Sequence, residues 1–168
     1  MNQILSHILA FAAYVFLQVT LQEELVLFRV AIPFFFIIFL FTLPFSIPQP
    51  VTYLIAFGMG LTIDMFSDHA ASGVHAFSAL LAIAARGRLA EIISTTNFRN
   101  LTDISFKNQT PAWYASYLLP LIFIHHFSYF FLEAFTFQYF FFTLLKIFCS
   151  TIYTFLIGYA LCYLFYSR

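Results

Sequence analysis

The sequence predicts an all-α integral membrane protein, a bundle of six transmembrane helices that forms a single transmembrane domain over residues 1–168. Three observations carry that reading. First, 62% of the residues are hydrophobic and only 8% charged, against about 25% charged in an ordinary soluble domain. A globule of this size cannot hide that much apolar surface from water. Second, the few charges leave long charge-free gaps, and a membrane-spanning helix needs about 20 mostly apolar residues. Third, runs such as Phe34-Phe35-Phe36-Ile37-Ile38-Phe39-Leu40-Phe41 are apolar all round. A transmembrane β-barrel would instead alternate polar and apolar residues. The 22% aromatic content also excludes intrinsic disorder, and the zero net charge offers no basic surface for nucleic acid.

The gaps place the helices in order. Met1–Gln22 carries no charged side chain and contains the first segment, 3–21. Val30–Ile63 is uncharged over 34 residues, too long for one ordinary crossing, and is interrupted by Pro44, Pro48 and Pro50. Proline removes a backbone donor and favours a turn, so this gap divides into segments 28–45 and 51–66. The next segment, 73–91, begins within the 17-residue gap His69–Ala85 and runs on past Arg86 and Arg88. The 25-residue gap Asn108–Leu132 contains segment 112–132, and Ile147–Ser167 contains most of 142–165, with Lys146 inside the last apolar stretch.

An even number of crossings puts both termini on one side. Arg86, Arg88, Arg99, Lys107 and Arg168 fall on that side and Arg29 opposite, so the positive-inside rule makes the termini cytoplasmic. Residues 1–13 contain small residues at Ala10, Ala12 and Ala13, but no Lys or Arg precedes the apolar stretch, so a retained first helix is expected rather than a signal peptide. Cys149 and Cys162 lie on one helix about 19 Å apart and cannot bond to each other. Two sequons, at Asn100 and Asn108, fall on the expected cytoplasmic side. Residues 93–113 form the longest polar connection, interleaving Phe98, Leu101, Ile104 and Phe106 with charges as a headgroup-layer segment would, while Trp113 and Tyr114 suit an interfacial belt.

Polar residues at membrane depth are the candidates for function. Ala56 and Gly60 make one face of the third segment small enough for close helix approach, and Asp64 shares that face. Ser72 is placed to cap the fourth helix, with Gly73 and His75 in its first turn. Asp64 can face the positive end of that helix or pair with His75 across the hairpin. The set Gly60, Asp64, Ser67, Gly73 and His75 therefore reads either as a device that closes a tight helical hairpin or as a proton or ion site. No Gly-x-Ser-x-Gly elbow, His-Glu-x-x-His or phosphate-binding loop occurs. His125 and His126 point about 100° apart on a helix and cannot both ligate one metal from the same face. With Glu133 they mark a face turned towards a partner or another helix. Glu133, Phe135 and Phe137 then offer aromatic area with a polar rim, as interface anchors do. Arg86 and Arg88 read as cytoplasmic anchors of the fourth helix. No cofactor or metal is expected.

The chain length, the six apolar segments and the block Gly60-x-x-x-Asp64-x-x-Ser67 followed by Gly73-x-His75-Ala76 resemble the rod shape-determining protein MreD family. His125-His126 followed by Phe131-Leu132-Glu133-Ala134-Phe135 is similar to its Bacteroidetes members. Ala71-Ser72 stands where many relatives have Pro or Leu before the glycine. The resemblance implies a multi-pass protein of the bacterial inner membrane without enzymatic activity. It implies a role in cell shape as a scaffold of the elongasome, the machinery of lateral peptidoglycan synthesis. MreC is then the direct partner, MreB, RodA and its transpeptidase partner share the complex, the lipid bilayer surrounds it, and a homodimer is left open. The implied fold is similar to the substrate-binding components of energy-coupling-factor transporters. The alternatives are a substrate-binding subunit of a vitamin-type transporter, which needs a polar cavity near the midplane, and a membrane enzyme, which needs a convergent nucleophile and base.

Overall fold

The computed structural model describes residues 3–67, 73–94 and 109–166. Among them the regular elements are six helices: α1 Gln3–Leu21, α2 Phe36–Thr42, α3 Gln49–Phe66, α4 Val74–Ile93, α5 Pro111–Ala134 and α6 Phe140–Tyr166. Two of these, α5 and the Phe140–Leu164 part of α6, are long and apolar enough to cross a membrane, and α1 adds a shorter apolar stretch, Leu5–Leu21. The expected headgroup-layer segment with Phe98, Leu101, Ile104 and Phe106 lies outside the described residues, as does Ser72.

The second expected span, 28–45, is not one helix. Only its seven residues Phe36–Thr42 are helical. The chain leaves α1 through a tight reversal in which Leu27 and Ala31 form an isolated antiparallel bridge, and Phe28 and Arg29 take positive φ values of 52° and 59°. Pro33 then removes one backbone donor and drives the residue before it out of helical geometry, so the chain runs irregularly until Phe36. Pro44 acts similarly at the far end, where Leu43 is extended at φ −56°, ψ 139°.

This short helix is the centre of the molecule. All seven of its residues are buried, and it contacts α1, α3, α4 and α5. Around it α3 packs on α4, α4 on α5 and α5 on α6. Irregular backbone this deep must find polar partners, and α1 and α6 supply them. The Gln18 side chain accepts from the N–H groups of Phe35 (2.6 Å) and Phe36 (3.4 Å). Ser150 Oγ accepts from Ile32 N–H at 2.9 Å and Thr154 Oγ1 from Phe34 N–H at 3.2 Å.

The opposite end of α2 is closed by α4 and α5. Arg86 Nη2 donates to the Leu43 carbonyl and Arg86 Nε to Tyr117 Oη (2.9 Å), and Tyr117 in turn donates to the Phe41 carbonyl (2.9 Å). The guanidinium also lies 4.0 Å from the centre of the Phe45 ring. Arg86 is therefore no surface anchor: at 4% exposure it is a buried cation set against the carbonyl end of a helix, where the helix dipole favours positive charge. Trp113 and Tyr114 also differ from the expected interfacial belt. Both are buried, Trp113 stacking on Tyr117 at 4.8 Å, because Thr110 caps α5 by accepting from Trp113 N–H and starts the helix against the bundle.

Candidate functional site

The α3–α4 hairpin closes on Gly60 and Asp64. A Cβ built on Gly60 would lie 2.5 Å from Ala76 Cα and 2.6 Å from its nitrogen, so the backbone of α3 touches the first turn of α4. That approach requires glycine, in the manner of small residues at membrane helix contacts. One turn further along α3, Asp64 reaches the same point. Its Oδ1 accepts from the His75 backbone N–H (3.0 Å) and ring Nδ1 (2.8 Å), and its Oδ2 from Ala76 N–H (3.1 Å).

Gly73 occupies the cap position of α4, at φ 98°, with no side chain to offer. Asp64 therefore caps α4 from a neighbouring helix, satisfying two of the orphan donors at its start. Because a carboxylate only accepts, His75 Nδ1 carries the proton in this pair. Its other ring nitrogen, Nε2, is buried without a hydrogen-bond partner, so no hydroxyl or thiol among the described residues meets the imidazole as the nucleophile of a catalytic triad does. Ser67 ends α3 and lines a small cleft of about 120 Å³ with Gln18, Glu23, Tyr129 and Glu133.

His125 and His126 project inward from α5 and are fully buried. Of the two placements the sequence allowed, partner surface or neighbouring helix, both histidines take the second. His126 is satisfied in full. Its Nδ1 lies 2.8 Å from the Ile122 carbonyl and must donate there, so Nε2 accepts from the Thr154 hydroxyl at 3.2 Å. That hydroxyl also receives Phe34 N–H, which links α5, α6 and the irregular segment in one chain of hydrogen bonds. His125 stacks on Tyr129 with the ring planes 9° apart, and neither of its nitrogens has a partner.

The histidines meet around one aromatic ring. Phe34 lies 5.9 Å from His75, 5.3 Å from His125, 4.8 Å from His126 and 4.8 Å from Tyr129, centre to centre. The ring of Phe34 thus occupies the space between the imidazoles. Among the described residues no three His, Cys, Asp or Glu side chains converge as a metal site. Phe135 and Phe137 lie apart from this cluster, in the turn that follows α5, while Glu133, near the end of α5, shares the small cleft with Tyr129. Phe135 is 90% and Phe137 80% exposed.

Gln18, Phe34, Arg86, Tyr117 and Thr154 were not singled out by the sequence pattern for these roles. Pro33 was the available signal: a proline inside an apparent span leaves backbone groups free that polar side chains on neighbouring helices must satisfy.

Fold and site together define an all-helical protein with at least two helices suited to a membrane and a buried polar centre. Comparison with protein-family models, curated proteins and solved structures finds no match for the chain.

Proposed function

We propose that the chain is a non-catalytic scaffold of the bacterial inner membrane, crossing it six times with both termini in the cytoplasm, and that it serves the cell-elongation machinery together with MreC. The cell-shape role and the partners MreB, RodA and its transpeptidase rest on the likeness of the hairpin block to MreD proteins. One geometric observation supports a scaffold over a chemical role. The carboxylate of that block is spent on the start of α4, and His126 of α5 on Ile122 and Thr154, while Phe135 and Phe137 stay uncovered. An exposed aromatic pair beside a carboxylate is a partner surface, since aromatic anchors carry much of the energy of interfaces.

The test is copurification of MreC with the full chain from membranes. Glu133→Lys combined with Phe137→Ala is expected to lower MreC recovery about tenfold or more, which corresponds to about 1.4 kcal/mol, while the protein stays monodisperse in detergent. Undiminished recovery at matched expression moves the interface off this end of α5.

A further inference from the structure

A groove of about 580 Å³ opens between the end of α5 and the start of α6. Its wall carries Phe130, Glu133, Tyr139, Phe142, Thr143 and Lys146. Lys146 is the unusual member. It is the charged residue of an otherwise uncharged helix, and its ammonium lies against aromatic rings. Helical side chains lean towards the N-terminus of their helix, and Lys146 follows this rule. Its ammonium lies 5.6 Å from the ring centre of Phe142, one turn earlier in α6, and 5.8 Å from that of Phe130, near the end of α5. The cation is thus drawn back towards the turn joining the two helices.

The depth of Lys146 fits a lipid rather than water. Lys146 follows the first residue of α6 by six positions, about 9 Å along the axis at about 1.5 Å per residue. In a helix that crosses the bilayer, this is the level from which a lysine reaches up to the headgroup phosphates. Glu133 stands one residue before the end of α5, and so lies further out than Lys146. The groove therefore presents a carboxylate outside and an ammonium inside. An ethanolamine phospholipid has the complementary order, with its amine outermost and its phosphodiester beneath. The hydroxyls of Tyr139 and Thr143 in the same wall are donors suited to phosphate oxygens, and Phe130 and Phe142 offer apolar area to the glycerol and upper acyl carbons.

We propose that this groove binds the headgroup of an ethanolamine phospholipid, the phosphodiester on Lys146 and the ammonium on Glu133. The proposal rests on α5 and α6 crossing the membrane and shares Glu133 with the partner surface, but its test reads lipid adducts with MreC absent and turns on Lys146, so the two readings fail separately.

The test is native mass spectrometry of the full chain in detergent with added dioleoylphosphatidylethanolamine, dioleoylphosphatidylcholine or inorganic phosphate. The wild type is expected to retain the ethanolamine lipid at least tenfold better than Lys146→Gln, with Lys146→Arg close to wild type. Glu133→Gln is expected to erase the preference for ethanolamine over choline while keeping lipid adducts. Equal retention of both lipids by the wild type overturns the proposal without recourse to any variant. So does displacement of the bound lipid by millimolar inorganic phosphate, which would make the site one for the free anion.

Discussion

At the scale of single residues, Asp64 and Gly60 form one contact from two sides. Asp64 accepts three N–H donors and is almost fully buried. Asparagine has one carbonyl oxygen where aspartate has two acceptors, so its amide must face either Ala76 N–H or His75 N–H, donor against donor. Leaving a buried donor unsatisfied costs about 1–3 kcal/mol. Asp64→Asn is therefore expected to lower the unfolding midpoint in detergent, and Asp64→Ala to lower it further by removing the favourable charge at the start of α4. Gly60→Ala pushes a methyl into the Ala76 backbone, and such overpacking costs about 1–3 kcal/mol. Since both changes loosen the same contact, the double variant is expected to lose less than the sum of the two, as coupled neighbours do. Strict additivity in thermal unfolding would separate the two residues and remove the hairpin lock.

At the scale of elements, α2 decides how much of the molecule was legible. The segments 3–21, 51–66, 73–91, 112–132 and 142–165 correspond to α1, α3, α4, α5 and α6 because their apolar length specifies a helix, α5 continuing even through Pro120. Segment 28–45 has the same composition and fails at Pro33, since periodicity and hydropathy do not register one missing donor. The hairpin residues were legible because Gly60 and Asp64 share a face at helical spacing. The clasp of Arg86 and Tyr117 was not, because a cation seven residues from a helix end reads equally as a surface anchor. That clasp now yields a prediction. Only a guanidinium has the fixed fork that reaches both Tyr117 Oη and the Leu43 carbonyl. Arg86→Lys is thus expected to restore little of the stability that Arg86→Met removes, with losses of several kcal/mol when a buried charged network is broken. A lysine variant with the wild-type melting temperature would show that charge alone holds the end of α2.

At the scale of the whole molecule, the question is whether the irregular segment and α2 together count as a crossing. The pairings along α1 argue that they do. Gln18, near the end of α1, bonds Phe35. Tyr14 and Phe11, earlier in α1, lie 5.7 and 6.3 Å from Phe39, ring centre to ring centre. Ser6 and His7, at its start, share a groove with Thr42 and Leu43. The chain therefore runs back antiparallel along the length of α1, part extended and part helical. The same reversal recurs between α4 and α5, where Arg86 meets Tyr117 and His75 meets Tyr129. In the proposed topology, six passes return the chain to the side on which it began. Arg86 is consumed inside the bundle, so by sequence position that topology assigns Arg88, Arg99, Lys107 and Arg168 to that side and Arg29 and Lys146 to the other. Four against two is a weaker bias than the count with Arg86 included, yet it keeps the same sign, and the sign sets the orientation. Alkaline phosphatase fused before Gln3, within residues 95–108 or after Arg168 is accordingly expected to stay inactive, and fused within 135–139 to be active. Activity at the first site together with inactivity at the next two would mean that residues 31–42 enter and leave on one face. The buried backbone between Ile32 and Phe36 would then be a re-entrant loop rather than the second crossing.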